Sequence, residues 1–247
     1  MFELLGWSLL AGVVNALAGG GLFFTLPALL GAGIPSTGAV ATASVASWPG
    51  YVSAFWGMRK RLRGGPLLAL TVIGLAGGGL GAFALTRFHA DHFNYLVPWL
   101  LLGVSLLYGR QLLSSKGFEG PLAMKPKAWP VLLSGSFYGG FFGGGLGVLL
   151  MALMGQLRMG TSLQQHAIKL YLSMLASGAT IVVYSLSGLV YWHEALLLAL
   201  GYLLGGKLGA RVLEWIRPKL LAWAIVAFGV GLSGYYFMRF YTPFGEL

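Results

Sequence analysis

From its first residues the chain alternates long apolar segments with short polar joints. The apolar segments fall near residues 3–34, 36–57, 66–86, 94–113, 129–157, 162–187, 191–213 and 218–240. Each is long enough to cross a hydrocarbon layer of roughly 30 Å as a helix. The pattern predicts an all-α polytopic membrane protein and leaves no room for a soluble domain. The first segment is too long for one crossing, since about 32 residues at 1.5 Å each come to near 48 Å, and Gly19-Gly20-Gly21 stands at its middle. The fifth segment carries Gly143-Gly144-Gly145 in the same place. Both are read as hairpins that enter the membrane, break at the glycines and leave on the side they entered.

The two halves of the chain repeat each other. Gly19-Gly20-Gly21-Leu22 matches Gly143-Gly144-Gly145-Leu146, and Gly78-Gly79-Leu80-Gly81-Ala82 matches Gly206-Lys207-Leu208-Gly209-Ala210, at offsets of 124 and 128. A polar, breaker-rich linker over 114–128 separates an N-terminal repeat, 1–113, from a C-terminal repeat, 129–247. Each half then has one Gly-broken hairpin followed by three transmembrane helices. An odd number of crossings inverts the second half relative to the first.

Composition sharpens this picture. Hydrophobic residues make up 57% of the chain and charged residues only 9%, and the net charge is +10. The cations sit in the joints, where positive-inside topology accounts for them without nucleic acid. Eight plain crossings would leave Arg158, Arg211, Arg217 and Lys219 outside. The hairpin reading instead places Arg59, Lys60, Arg61, Arg63, Lys116, Lys125, Lys127 and those four in the cytoplasm, with Arg87, Arg239 and both termini outside. The start, Met1-Phe2-Glu3, lacks the basic residues of a cleavable leader and is expected to be retained. The chain has no Cys, which excludes disulfides, thiolate metal sites and thiol nucleophiles.

Candidate chemistry gathers at two places. A Gly-rich break at membrane depth survives only against protein or water, because each unpaired amide costs several kcal/mol in hydrocarbon. Inverted breaks would meet near the midplane, and half-helices starting after Gly21 and Gly145 would aim N–H groups and positive dipole ends at an anion there. Tight packing is the plainer role for the glycines. The sixth segment holds His166 and Lys169 on a polar stripe of Ser162, His166, Lys169, Ser173, Ser177, Thr180 and Tyr184, at steps of three and four. Such a stripe must face protein or water. Lys169 is the candidate for substrate charge and His166 for a coupling proton, against the alternatives of a snorkelling lysine and a packing histidine. At an offset of 124, Thr42 and Val45 stand opposite these two, so charge comes from one half only. Thr37, Thr42, Ser44, Ser47 and Asn15 offer neutral hydrogen bonds.

Other motifs carry less. Gly77 to Ala82 fits a dinucleotide fingerprint nominally, but no strand precedes it. Gly74 to Gly78 and Gly205 to Gly209 have small-xxx-small spacing, which reads as internal packing before a homodimer contact. His89, Asp91 and His92 read as a solvated loop rather than a metal site.

Gly19-Gly20-Gly21, Pro27, Gly33-Ile34-Pro35 and Ala39-Val40-Ala41-Thr42-Ala43-Ser44, ahead of a basic loop, resemble the TauE/SafE family of sulfite exporters and sulfonate permeases. The resemblance runs through both halves. It implies a secondary transporter of sulfite, a sulfonate such as sulfoacetate, or a related anion, ion- or proton-coupled, in a bacterial inner membrane. The second repeat departs from the motif, with Met151 and Met159 where prolines would stand and Gln165-His166 in place of Ala41-Thr42. The expected substrate-binding set is Asn15, Gly19, Gly20, Gly21, Thr42, Ser44, Gly143, Gly144, Gly145, His166, Lys169 and Ser173. Expected partners are the small anion, membrane lipid and a coupling proton or ion, with no cofactor and no metal. An anion channel is the nearest alternative. An intramembrane enzyme is the remote one, since the chain has no Gly-x-Ser-x-Gly element and no acid within the spans to complete a catalytic group.

Overall fold

A computed structural model describes residues 2–17, 19–62, 65–113, 120–212 and 218–241. Of the expected cytoplasmic cations, Arg63, Lys116 and Arg217 lie outside these residues, as do the side chains of Arg211 and Lys219. The described residues form ten α-helices and no strand: α1 (Phe2–Leu17), α2 (Leu22–Gly31), α3 (Ser36–Met58), α4 (Leu67–Thr86), α5 (Ala90–Leu113), α6 (Ala128–Phe141), α7 (Leu146–Leu157), α8 (Ser162–Leu186), α9 (Trp192–Val212) and α10 (Pro218–Tyr241). A 3₁₀ turn, Arg59–Leu62, extends α3.

Local sequence explains the boundaries. Each over-long segment breaks at its glycine triplet into two helices too short to cross a bilayer. The 10 residues of α2 span only about 15 Å, and the 14 and 12 of α6 and α7 about 21 and 18 Å. Within each pair the chain doubles back. A Cβ on Gly21 would lie 2.9 Å from the Ala11 carbonyl, and one turn further along each helix the Trp7 and Phe24 rings meet at 6.3 Å. Likewise Gly139 lies against Leu146, and Gly135 against Leu150 and Leu153. The second helix of each hairpin ends in the same turn. Gly33 (φ +82°) and Arg158 (φ +50°) take the left-handed position, and the next amide, of Ile34 or Met159, reaches back to Leu29 or Met154 at 3.1 Å. Thr161 then caps α8, its hydroxyl accepting from the Gln164 amide while the Gln164 side chain accepts from the Thr161 amide.

The six longer helices, of 20 to 25 residues, pack with one another and with α1 and α6 in related pairs. α1 lies along α9 and α6 along α4, both parallel. A Cβ on Gly77 would meet the Leu133 carbonyl, Ser136 and the Phe137 amide; one on Gly205 would meet the Leu9 carbonyl, Gly12 and the Val13 amide. These are the same three places, shifted by the offsets of the sequence repeat. α3 and α8 run antiparallel, with Trp48 against Gly178 and Phe55 against Tyr171. α5 and α10 do so too, with Trp99 against Phe237, Ser105 against Gly229 and Gly109 against Val226. Gly74 and Gly78 seat α4 on Leu175 and Ala176 of α8, so the nominal dinucleotide fingerprint is a helix-packing surface.

Polarity is distributed inside out relative to a soluble protein. Large apolar side chains cover the exterior, Leu68, Leu186 and Leu196 being more than half exposed, while sixteen polar side chains, from Ser8 to Ser233, are buried among the described residues. Water would not tolerate that exterior and lipid does. Trp56 stands exposed beside the basic turn, with the Arg59 guanidinium 4.4 Å over its ring, an anchor suited to a membrane interface.

Candidate functional site

The two glycine breaks lie against each other. A Cβ on Gly19 would stand 2.6 Å from the Gly147 Cα, one on Gly144 would stand 3.1 Å from Leu22, and one on Gly143 would stand 3.6 Å from the Ser44 hydroxyl. Gly19, Gly143 and Gly145 have φ of +79°, +76° and +70°, a conformation glycine adopts freely and L side chains do not. Gly21, at φ −57°, is required for space instead, since a Cβ there would meet the Tyr202 ring and hydroxyl at 2.8 Å. The Gly144, Gly145 and Gly147 amides, at the positive end of α7, donate to no backbone carbonyl among the described residues.

Where the breaks meet, both halves line one small cavity of about 20 Å³, room for about one water. Its polar walls are Asn15, Ser44, Ser47, Tyr51, Ser177 and Tyr202, beside the Gly143 backbone. Tyrosines hold this junction. Tyr51 Oη donates to Asn15 Oδ1 at 3.0 Å, Tyr138 Oη to the Gly144 carbonyl at 2.7 Å, and Tyr184 Oη to the Gly140 carbonyl. Tyr202 Oη and Thr25 Oγ1 share a hydrogen bond of 3.3 Å.

The polar stripe of α8 turns inward. Lys169, Ser173, Ser177, Thr180 and Tyr184 are buried and His166 is half-buried. Lys169 has no exposed surface, and its Nζ has no hydrogen-bond partner among the described residues. Ser173, one turn on, lies beside the Tyr51 hydroxyl, though its Oγ makes no geometrically complete hydrogen bond among the described residues. A polar path thus leads from Lys169 past Ser173 to Tyr51 and the cavity.

Residues 4–236 match the family described as sulfite exporter TauE/SafE. The chain belongs to this family. It is 27% identical over 232 residues to a probable membrane transporter protein, ORF9, of Sinorhizobium, covering 91% of this chain and 87% of that one. It is 29% identical over 229 residues to a probable membrane transporter protein of Haemophilus influenzae, at 85% and 86% coverage. With the probable membrane transporter protein YfcA of Escherichia coli it shares 26% over 225 residues, at 87% and 82%. No solved structure matches it.

Not every expected residue of this TauE/SafE chain reaches the junction. Asn15, Ser44 and the glycines meet there. Thr42 does not, because its Oγ1 accepts the Tyr191 amide at 3.0 Å and so serves the joint before α9. The register between α3 and α8 also shifts. Their caps, Pro35 and Thr161, are 126 positions apart, Met159 and Gly160 occupying the place of Ile34 alone. Lys169 therefore stands opposite Ala43 rather than Val45, and Ser173 opposite Ser47, one unlike position and one shared hydroxyl. Tyr51, Tyr138 and Tyr202 were not expected at the site. The available signal was a phenol deep in an apolar run, which must find a partner when buried.

Proposed function

We propose that this TauE/SafE protein is a secondary transporter carrying a small sulfur-containing anion, sulfite or an organic sulfonate, across the bacterial inner membrane by alternating access. Its site is the junction of the two glycine breaks. One observation carries the reading: the Lys169 ammonium is fully buried and without a hydrogen-bond partner among the described residues. The six acidic residues, Glu3, Asp91, Glu119, Glu194, Glu214 and Glu246, all lie at or beyond the ends of the apolar segments. An uncompensated buried ion costs several kcal/mol, and an anion entering the junction relieves that cost. The amides at the start of α7, which donate to no backbone carbonyl among the described residues and are together worth about half a unit charge, favour the same ligand.

Several observations support the carrier reading. The antiparallel packing of α3 on α8 and of α5 on α10 is what two inverted repeats, 1–113 and 129–247, require. That architecture underlies rocking-bundle exchange. The narrowness of the cavity, about 20 Å³, suits a carrier better than a continuous pore. His166, one turn from Lys169, is the candidate for a coupling proton, because an imidazole can both take up and release a proton. The relatives' designations support transport, and the family description supports a sulfur oxyanion.

The test is uptake into proteoliposomes of purified protein, with labelled sulfite, thiosulfate, sulfonates and carboxylates. Saturable uptake of a sulfur anion, with counterflow, is expected. Folded protein that moves none of them overturns the substrate class, and single-channel currents without counterflow would replace the carrier by a channel.

A further inference from the structure

A second, larger space lies beside the junction. Between α3 and α9, a groove of about 700 Å³ is lined by Gly50, Ser53, Ala54, Gly57, Gly206 and Lys207, with three leucines. It is not isolated from the cavity. A slot with no free volume adjoins both: it shares Gly50, Ala54 and Gly206 with the groove, and Asn15, Tyr51 and Tyr202 with the cavity. Groove, slot and cavity form one line, obstructed by the Tyr51 phenol that Asn15 holds in place at 3.0 Å.

The chemistry of the groove has a direction. Its α3 wall ends at Gly57, immediately before the exposed cations Arg59, Lys60 and Arg61, on the side that the positive-inside rule assigns to the cytoplasm. Lys207, also exposed, is the one charged residue in its wall among the described residues. Small side chains at 50, 53, 54 and 57 keep the wall clear, and a field of one sign concentrates the opposite ion at such a mouth. We infer that this groove is a cytoplasmic vestibule through which the anion reaches the central cavity, with Lys207 as its attracting wall and Tyr51, held by Asn15, as the gate. The inference deepens the transport reading and rests on it for the identity of the anion alone.

The chain has no cysteine, so the test needs no altered background. Ser53→Cys places a sole thiol in the groove and Ser177→Cys one in the cavity. Membrane-impermeant thiosulfonates, one anionic and one cationic, are applied to inside-out and right-side-out vesicles. The groove thiol should react in inside-out vesicles only, and Lys207→Glu should lower the anionic-to-cationic rate ratio at least fivefold. The cavity thiol should react from that same side at least tenfold faster when Tyr51→Phe releases the gate, a change that keeps the ring and the fold; Tyr51→Ala should exceed it. A groove thiol unreactive from the inside identifies a lipid-filled crevice and overturns the inference, as does a rate ratio indifferent to Lys207. A cavity thiol indifferent to both Tyr51 variants removes the gate. Sulfite and sulfonate flux measured on the unaltered chain in the same vesicles keeps the two readings apart: absent flux with the expected labelling refutes the sulfur anion and leaves the vestibule standing.

Discussion

At the scale of single residues, Lys169 is the position where stability and binding separate. A buried ammonium without a partner weakens the fold, and replacing such an ion by an apolar group of similar volume is often neutral or stabilising by about 1 kcal/mol or more. Lys169→Met should therefore leave the unfolding temperature in detergent unchanged or higher, while anion binding falls at least tenfold. Binding equal to that of the parent would remove Lys169 from the site. The glycines separate in another way. Gly19 combines a left-handed backbone with a Cβ position 2.6 Å from Gly147, so Gly19→Ala should cost about 2–4 kcal/mol in backbone strain and overpacking. Gly20 has neither constraint, its nearest neighbour being the movable Phe23 ring at 3.2 Å, and Gly20→Ala should stay within about 1 kcal/mol. Thermal unfolding of the two variants decides it; equal losses would mean that the close approach is not what selects glycine. The burial of Lys169 was legible in the sequence because a polar stripe at helical spacing within an apolar run must face protein or water, although a snorkelling lysine was the alternative there. Tyr51 and Tyr202 were not, since their partners Asn15 and Thr25 are joined to them only by the fold.

At the scale of elements, the hairpins follow from arithmetic on length and from two glycine triplets, and the breaks fall where that arithmetic puts them. The crossings of α1 on α9 and α6 on α4 were legible only in part. The small-residue spacing marks a close-packed face, but nothing local says that Gly205 seats on Leu9 and Gly12, almost two hundred residues away. The register of α3 against α8 differs by two positions from the offset of 124 between the glycine triplets because the second repeat has one extra residue between Gly145 and Arg158, relative to Gly21 and Gly33, and another where Met159 and Gly160 take the place of Ile34, insertions that no glycine match reveals. The paired crossings make a prediction. Gly77→Leu and Gly205→Leu each drive a branched side chain into the backbone of a neighbouring helix, where small residues alone allow the approach. Both should lose most of the monodisperse protein recovered in detergent, and by similar amounts. Gly103→Leu, with nothing within 4 Å and a lipid-facing position, should be recovered like the parent. Normal recovery of either crossing variant would show that these glycines do not set the helix separation.

At the scale of the whole molecule, orientation is the property that decides the mechanism, and two independent lines bear on it. One is electrostatic: with two hairpins, Arg158 joins Arg59, Lys60, Arg61, Lys125 and Lys127 on a single side, as the positive-inside rule asks of short loops. The other is geometric. If the halves were parallel copies, α8 would run alongside α3 in the same direction; instead Trp48 faces Gly178 and Phe55 faces Tyr171, which only opposed chains allow. The same holds for α5 and α10, where Tyr95 meets Tyr241 at one end and Gly109 meets Val226 at the other. A phosphatase or fluorescent-protein reporter placed after Arg158 should therefore read cytoplasmic, like one after Arg63, and one after Leu189 should read periplasmic. Eight plain crossings predict the reverse at Arg158. A periplasmic signal there would carry Lys169 to the opposite side of the junction, part the basic turn at Arg59 from the Arg158 loop, and leave two same-facing halves for which the antiparallel contacts of α3 with α8 have no explanation.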